Sequence, residues 1–551
     1  MPKIKKVLIA NRGEIASRIQ RSCDALGIAS AVTVSDADRS GLFARLAQEV
    51  APLPGSSPFD TYLNIDAILE LARKFKCDSI HPGYGFLSEN SEFSQRVLDA
   101  GLVFIGPNPR AISIMGSKTE ARKIVQKHNV PVVPGTAGGL SDEELLSAAN
   151  NLAFPLLIKA VGGGGGRGMR VVQSLEELKS LLPRARAESK KNFANEDVFL
   201  ERYIEKPRHV EVQVLGDSHG NLIHLGTRDC STQRRHQKLI EEAPAPFLSE
   251  EVRSKIHVAA INAAKSVGYD SAGTVELLVK GEEFFFLEMN TRIQVEHPVT
   301  EEVTATDLVS LQIRVAQGEK LPFQQSDVHF DGHSIELRVY AEDPAQDFRP
   351  SLGTVTKIDR PECEFLREDH SLEEGTVVSP YYDAMLSKLI VKGRDRKEAL
   401  EQLRMILSDY EIEGIETNLN FHRWLLCLSP FVEAPVDIHF VGREFSPACL
   451  EQLRALRKKD PEHRASCAGA EYVERLQWKR SLTSEIIEVE VVHRSDGYFL
   501  ARPISGSGER ASAADCRISN GKTACLNALI SEVLEKKTSN QLFAFQRRGS
   551  R

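Results

Sequence analysis

Two acids and an amide are the first residues whose spacing suggests chemistry. The runs Thr274–Val279 and Glu282–Met289 surround Gly281 and are rich in β-branched and aromatic residues, which predicts a hairpin. If it turns around Glu282, then Glu276 lies opposite Glu288, and strand alternation sets Asn290 on the same face. Two facing carboxylates repel unless a proton or cation lies between them, and oxygen donors beside a nucleotide phosphate suit Mg²⁺ (or Mn²⁺). The plain alternative is a solvated sheet face with acids on it. Phe284 and Phe286, which the same alternation puts beside Glu288, argue for partial burial and so for a metal.

The second candidate is Gly162 to Gly166 with Arg167 and Gly168, between the strand-like segments Pro155–Ala160 and Met169–Val172. Gly163, Gly165 and Gly168 satisfy G-x-G-x-x-G, but a strand follows where a dinucleotide fold needs a helix. No G-x-x-x-x-G-K-[ST] loop occurs in the chain. A ligand-free flexible tip is the bland reading. A phosphate lid is preferred, because glycines let backbone N–H groups approach phosphate oxygens and Lys159 on the preceding strand supplies charge.

Positioning such groups takes several elements. Lys6-Val7-Leu8-Ile9-Ala10, a loop, and the helical pattern Ile15, Ile19, Cys23, Leu26 read as strand, loop and helix. The alternation continues through Ala31–Val34 to Val103–Ile105, so residues 1–115 predict an open α/β domain. Val130-Pro131-Val132-Val133-Pro134-Gly135 reads as a linker into a small mixed domain. After about Cys449 the composition shifts toward Lys, Arg, Glu and Ser. That region still contains an alternating strand, Glu485–Val492, and a helical pattern near Leu526 to Lys536.

With 551 residues, 41% hydrophobic and 27% charged, the chain predicts two to four folded domains. A net charge of −7 argues against a nucleic-acid binder. The basic cluster Arg234-Arg235-His236-Gln237-Lys238 lacks interleaved aromatics and runs into Glu241-Glu242, so it reads as a local anion site. No apolar run is long enough to span a membrane, and the apolar run at Val7 is too short for a signal-peptide core. Nine dispersed cysteines without C-x-x-C spacing read as reduced thiols of a cytoplasmic protein.

The segment Glu288-Met289-Asn290-Thr291-Arg292-Ile293-Gln294-Val295-Glu296-His297-Pro298-Val299-Thr300 resembles the signature of biotin-dependent carboxylases. Other motifs fall in that family's order: Ile9 to Ala16 (IANRGEIA), His81 to Asn90 (HPGYGFLSEN), the glycine loop, Arg228 to Lys238, Arg338 with Ala341-Glu342-Asp343-Pro344, and Pro380 to Met385 (PYYDAM). The resemblance runs from near residue 3 to about residue 445. It implies an α/β and α+β multidomain chain, with an N-terminal open α/β domain (1–115) and an ATP-grasp domain (116–330) carrying a lid over about 131–204. A biotin carboxylase C-terminal domain (331–448) would follow, then a β-rich or partly disordered extension (449–551).

The resemblance implies roles too. Lys118, Lys159, His209 and the glycine loop with Gly165, Gly166 and Met169 would hold ATP phosphates. Glu201, Tyr203, Ile204, Gln233, His236, Leu278 and His439 would line the nucleotide pocket, and Glu276, Glu288 and Asn290 would serve the magnesium ions. Lys238, Arg292, Gln294 and the Val295 backbone would bind bicarbonate, Glu296 would be its base, and Arg338 would stabilise the biotin enolate. Arg202 departs from the lysine that is frequent in the family.

A different ATP-grasp ligase is the nearest rival, and Arg292 to Thr300 with Arg338 separates the two. A non-catalytic nucleotide-binding regulator needs no bicarbonate base, so the presence of Lys238, Glu296 and Arg338 weighs against it. No methionine is followed by lysine, so the Met-Lys-Met turn that carries biotin in this family is missing from the sequence. The expectation is therefore no covalent biotin here and a carrier protein on another chain, and the resemblance also implies a carboxyltransferase on another chain and a homodimer. It implies too that this separate carboxyltransferase chooses the final carboxyl acceptor.

Overall fold

The computed structural model describes residues 3–161, 169–193, 195–361, 363–451 and, as strand backbone, 470–479, 486–494, 499–504 and 514–516. The glycine loop with Gly165 and Gly166, and the helical pattern near Leu526, lie outside the described residues.

The N-terminal part forms as its pattern predicts. Strand β1 (Lys6–Ile9) leads into α1 (Gly13–Ala25), then β2 (Ala29–Ser35), β3 (Glu49–Leu53), β4 (Ser79–His81) and β5 (Val103–Phe104). All pair in parallel, in the order β3-β2-β1-β4-β5. Two apolar layers, one holding Ile15, Ile19 and Cys23 and the other Ile68, Phe93 and Val97, cover the two faces of this sheet.

A separate three-stranded sheet follows, of β6 (Leu156–Ala160), β7 (Met169–Val172) and β8 (Val198–Arg202), with helix α2 (Leu175–Phe193) packed on it. The strands β6 and β7 pair antiparallel across the glycine loop, with Lys159 opposite Met169.

The central sheet carries the rest. Its strands are β9 (Arg208–Gly216), β10 (Leu222–Arg234), β11 (Gln237–Ala243), β12 (Ala272–Lys280), β13 (Glu283–Asn290), β14 (His333–Tyr340), β15 (Leu366–His370) and β16 (Met385–Gly393). They run in the order β13-β12-β9-β10-β11-β14-β16-β15. Because β11 hydrogen-bonds to β14 from Ile240 opposite Leu337 to Ala243 opposite Ser334, one continuous sheet crosses residue 330. Helices α3 (Glu250–Ser266), α4 (His297–Thr304) and α5 (Arg396–Asp409) pack on it. The described C-terminal strands, Ala470–Lys479, Ile486–Arg494, Phe499–Ile504 and Ala514–Cys516, form an antiparallel four-stranded sheet. No helix among the described residues is long and apolar enough to cross a membrane.

The middle of the central sheet is not apolar. Arg228 on β10 is fully buried, and its five N–H groups all find acceptors: Glu211 Oε1 at 2.5 Å, Gln213 Oε1 at 2.7 Å, Thr300 Oγ1 at 3.0 Å, Thr274 Oγ1 at 3.0 Å and Gln294 Oε1 at 2.5 Å. These acceptors come from β9, β12, the turn after β13 and α4, so one side chain ties four segments together. Arg228→Met should cost about 3–5 kcal/mol, because it leaves the Glu211 carboxylate buried with one cation fewer. Arg228→Met with Glu211→Gln should recover part of that loss. Thermal melts of the single and double variants check this, and an unchanged melting midpoint in Arg228→Met would contradict it.

Candidate active site

Glu276 does pair with Glu288, by a different route from the simple hairpin. The turn is tighter than one centred on Glu282, since Lys280 pairs with Glu283 and Leu277 with Phe286. An irregularity between Glu276 and Leu277, with Leu287 as the extra residue of β13, restores the Glu276–Glu288 and Thr274–Asn290 pairings. The extra residue also moves the aromatics. Phe284 and Phe286 pack with Val275 and Met289 in the core beneath α3, not beside Glu288. It is Phe285 that joins Val133, Ile204 and Leu278 in a separate apolar cluster.

Lys238 reaches across from β11 to three carboxylates, Glu211 at 2.7 Å, Glu276 at 3.0 Å and Glu296 at 2.5 Å. Glu296 lies in the turn between β13 and α4 and accepts from Arg338 Nη2 at 2.8 Å with its second oxygen. Burial works against its charge, but Lys238, Arg338 and Arg228 outweigh burial and hold the carboxyl well below the usual range. Arg338 also meets Glu241 as an ion pair. Its backbone carbonyl accepts from Asn418 and His422 at 2.9 Å, which fixes the root of the side chain.

Glu276 Oε1 accepts from Lys238, from Asn290 Nδ2 at 2.8 Å and from Gln294 Nε2 at 2.8 Å. Burial opposes its charge too, and Lys238 and His209 prevail, so its pKa is lowered. Glu288 goes the other way: burial, then the nearby Glu276, raise it. A dication between the two would relieve that repulsion, and an all-oxygen donor set suits Mg²⁺. Glu276 and Glu288 therefore fit a magnesium site. Asn290 fits it less simply, because its Oδ1 accepts from Arg292 Nη2 at 2.7 Å. A second donor group, His209, Glu211 and Glu276, lies within 4.8 Å of one another, with Lys238 already bonded into it.

Arg292 is aimed by Glu89, which accepts from its Nε at 2.9 Å and from the Thr291 backbone N–H at 3.1 Å. The Val295 carbonyl accepts from Lys388 Nζ at 2.8 Å. On the β6–β8 sheet Lys159 donates to Glu201 at 2.7 Å, and Glu201 also pairs with Arg122. Burial, then Lys118 and Arg122, push the Lys159 ammonium down to about 8. Tyr203 and His439 are 3.4 Å apart, and Gln233 Nε2 is 3.3 Å from His209 Nδ1. His236 sits at φ 68°, in the turn between β10 and β11, where burial, then His439 and His209, lower its pKa. Arg202 stacks over Phe285 at 4.9 Å and pairs loosely with Glu283, so the cation at that position caps the apolar cluster.

Lys238 thus gathers Glu211, Glu276 and Glu296, while Lys159 of β6 lies near Glu288, Arg202 of β8 over Phe285, and Tyr203 beside His439. Sequence reasoning missed Glu211 and Lys388, and it gave no site role to Glu89, Arg228 and Glu241, which it met only within motifs or beside the basic cluster. A buried arginine inside a strand pattern, Arg228 in Leu222–Arg234, was the one available signal for an ionic core.

Family models match three successive stretches: residues 3–112 as "Biotin carboxylase, N-terminal domain", 117–324 as "Carbamoyl-phosphate synthase L chain, ATP binding domain" and 336–443 as "Biotin carboxylase C-terminal domain". Biotin carboxylase 2 of Bacillus subtilis is 47% identical over 438 residues, 79% of this chain and 98% of that protein. Biotin carboxylase of Haemophilus influenzae is 46% identical over 443 residues, 80% of this chain and 99% of that protein. Among solved structures, the biotin carboxylase domain dimer of Hydrogenobacter thermophilus 2-oxoglutarate carboxylase, in complex with MgADP, ADP and bicarbonate, superposes with a TM-score of 0.77 at 41% identity. The match covers 82% of this chain and 99% of that one. With family models over three successive stretches, relatives 46–47% identical along nearly their whole length and a shared fold, the chain belongs to the biotin carboxylase family of ATP-dependent ligases.

Proposed function

We propose that this chain carboxylates biotin held on a separate carrier protein, using ATP and bicarbonate. The observation that carries the reading is the line Lys238–Glu296–Arg338, a carboxylate held between two cations beside the paired Glu276 and Glu288. An ATP-binding regulator has no use for it.

Bicarbonate is a weak nucleophile, and its remaining proton must go as the γ-phosphate is attacked. Lys238, Arg292 and Gln294 would hold it, with the Val295 backbone, and Glu296 would take the proton. Held between Lys238 and Arg338, Glu296 is a poor base because both stabilise its charge. An anion that draws the Lys238 ammonium toward itself removes part of that stabilisation, so Glu296 becomes more basic when bicarbonate arrives. Lys118, Lys159, His209, Met169 and the glycine loop would hold the triphosphate. Tyr203, Ile204, Gln233, His236, Leu278 and His439 would line the base and ribose side. Magnesium at Glu276, Glu288 and Asn290 would supply charge neutralisation for the phosphates.

Attack of bicarbonate oxygen on the γ-phosphorus gives ADP and carboxyphosphate. Its breakdown releases CO₂ beside phosphate, phosphate accepts the ureido proton of biotin, and Arg338 would stabilise the enolate oxygen. A homodimer is supported by the dimeric Hydrogenobacter domain. Cys23, Cys77, Cys230, Cys363, Cys427 and Cys449 are free thiols, which supports a reducing compartment such as the cytoplasm.

Glu296→Gln should lower bicarbonate-dependent ATP cleavage by about 10²-fold or more while leaving nucleotide affinity nearly intact, because it removes a base and no phosphate contact. Near-normal turnover in a coupled ADP assay would sink the mechanism. Lys159 yields a pH prediction. Its ammonium is lost in the free protein above about pH 8, and bound phosphates favour the charged form. ADP affinity should therefore be flat below that pH and fall by up to about tenfold per unit above it, while Lys159→Arg, always charged, flattens the curve. An equally steep fall in Lys159→Arg, measured by calorimetric titration, would assign the effect elsewhere.

A further inference from the structure

Behind Arg338 lie two carboxyl groups that the proposed mechanism does not use. Glu241 on β11 and Glu336 on β14 are direct cross-strand partners, and both are fully buried. Among the described residues neither oxygen of Glu336 has a hydrogen-bond partner, and Glu241 has its ion pair with Arg338 alone. Ile390, the partner of Glu336 on β16, packs with Ala243, Val299 and Val303 under α4, so the roof over the pair is apolar. The charged groups facing it are Lys238 from β11, Arg338 from β14, Lys388 from β16 and Glu296 from the turn into α4. His297 of α4 is held neutral by burial, then by Lys388 and Arg18. Each cation already has other partners: Lys238 has Glu211, Glu276 and Glu296, Arg338 has Glu296, and Lys388 has Glu14 at 3.1 Å and the Val295 carbonyl. Two adjacent, fully buried carboxylates with so little free positive charge cannot both ionise under an apolar roof.

We propose that Glu336 is a neutral carboxylic acid and that Glu241, kept as the carboxylate beside it, is a positioning residue that holds the Arg338 guanidinium in place for the biotin step. The neutral acid spares Glu241 the repulsion of a second charge, and Glu241 balances the pull of Glu296 on the same guanidinium. Burial raises Glu336 well above the ordinary range, with only partial relief from Lys388, and burial raises Glu241 to about 7 against the opposing effect of Arg338. As pH falls through about 7 Glu241 takes a proton and Arg338 loses its anchor on that side. Carboxylation of biotin should then show an acidic limb that biotin-free, bicarbonate-dependent ATP cleavage lacks.

The inference rests on the biotin role given above to Arg338, and the test separates the two. In the full chain, an infrared difference spectrum of wild type minus Glu336→Gln should contain the carbonyl band of a protonated carboxylic acid at neutral pH. Glu241→Gln should lower free-biotin carboxylation by about tenfold or more, change biotin-free ATP cleavage by less than about threefold, and remove the acidic limb. Glu241→Asp should restore part of the rate. Absence of the infrared band overturns the proposal, as does an equal loss in both reactions for Glu241→Gln. Unfolding of Glu336→Gln, which has the size and charge of the neutral acid, overturns it too. If wild type shows no bicarbonate-dependent ATP cleavage, the functional reading fails, whereas the infrared band still reports on the pair.

Discussion

A fully buried guanidinium has five N–H groups that must all be met, and that demand on Arg228 organises the centre of this fold. Meeting it brings Glu211 and Gln213 of β9, Thr274 of β12, Gln294 of the turn after β13 and Thr300 of α4 to one point. The consequences reach further than Arg228 itself. Glu211 has a second oxygen, which takes Lys238, and Gln294 has an amide nitrogen, which goes to Glu276. A structural ion pair thereby sets the geometry of groups that would handle bicarbonate and phosphate. The sheet is continuous from β13 to β15, so these positions are fixed relative to Arg338 by backbone hydrogen bonds as well.

A site for anions that is lined with acids looks paradoxical until the charges are followed. Each cation is held by carboxylates before the substrate arrives: Lys238 by Glu211, Glu276 and Glu296, Arg292 by Glu89, Arg338 by Glu241 and Glu296, Lys159 by Glu201. Without those acids the cations would repel one another and lose protons more readily; even with Glu201 beside it, Lys159 is pushed down by burial, then by Lys118 and Arg122. With them, the cations are oriented but not saturated. In the proposed reaction an arriving anion would compete with the carboxylates for N–H donors, and Glu296, which shares both Lys238 and Arg338, would accept the proton. Preorganisation of this kind carries a desolvation cost, offset by dense hydrogen bonding among the buried groups.

The parallel N-terminal sheet and the β6–β7 hairpin follow from patterns along the chain, because strand, loop and helix alternate with local periodicities. The Glu276–Glu288 pairing was expected from the distance to a turn, and it holds because the irregularity at Leu287 offsets a turn one residue tighter than expected. Its neighbours were not legible. An irregularity at Leu287 has no sequence signature, and one extra residue is enough to exchange Phe285 for Phe284 and Phe286 on the site face. Glu211 and Glu241 were silent for another reason. Within strands that read as ordinary polar and apolar mixtures, a buried charge can be recognised only through its partner, and these partners, Arg228, Lys238 and Arg338, come from β10, β11 and β14. The family motifs flagged Lys238, Arg292, Glu296 and Arg338, but the geometry that connects them is set by pairings between distant segments.

Everything proposed for this site turns on one step, in which bicarbonate, deprotonated beside Glu296, attacks the γ-phosphate directly. Turnover of the purified chain with ATP, free biotin and ¹⁸O-labelled bicarbonate, followed by mass analysis of the inorganic phosphate, tests it most directly. Attack by bicarbonate oxygen followed by loss of CO₂ leaves one labelled oxygen on each phosphate released. Phosphate carrying only solvent oxygen, while biotin is still carboxylated, would contradict direct attack and remove the role given to Glu296.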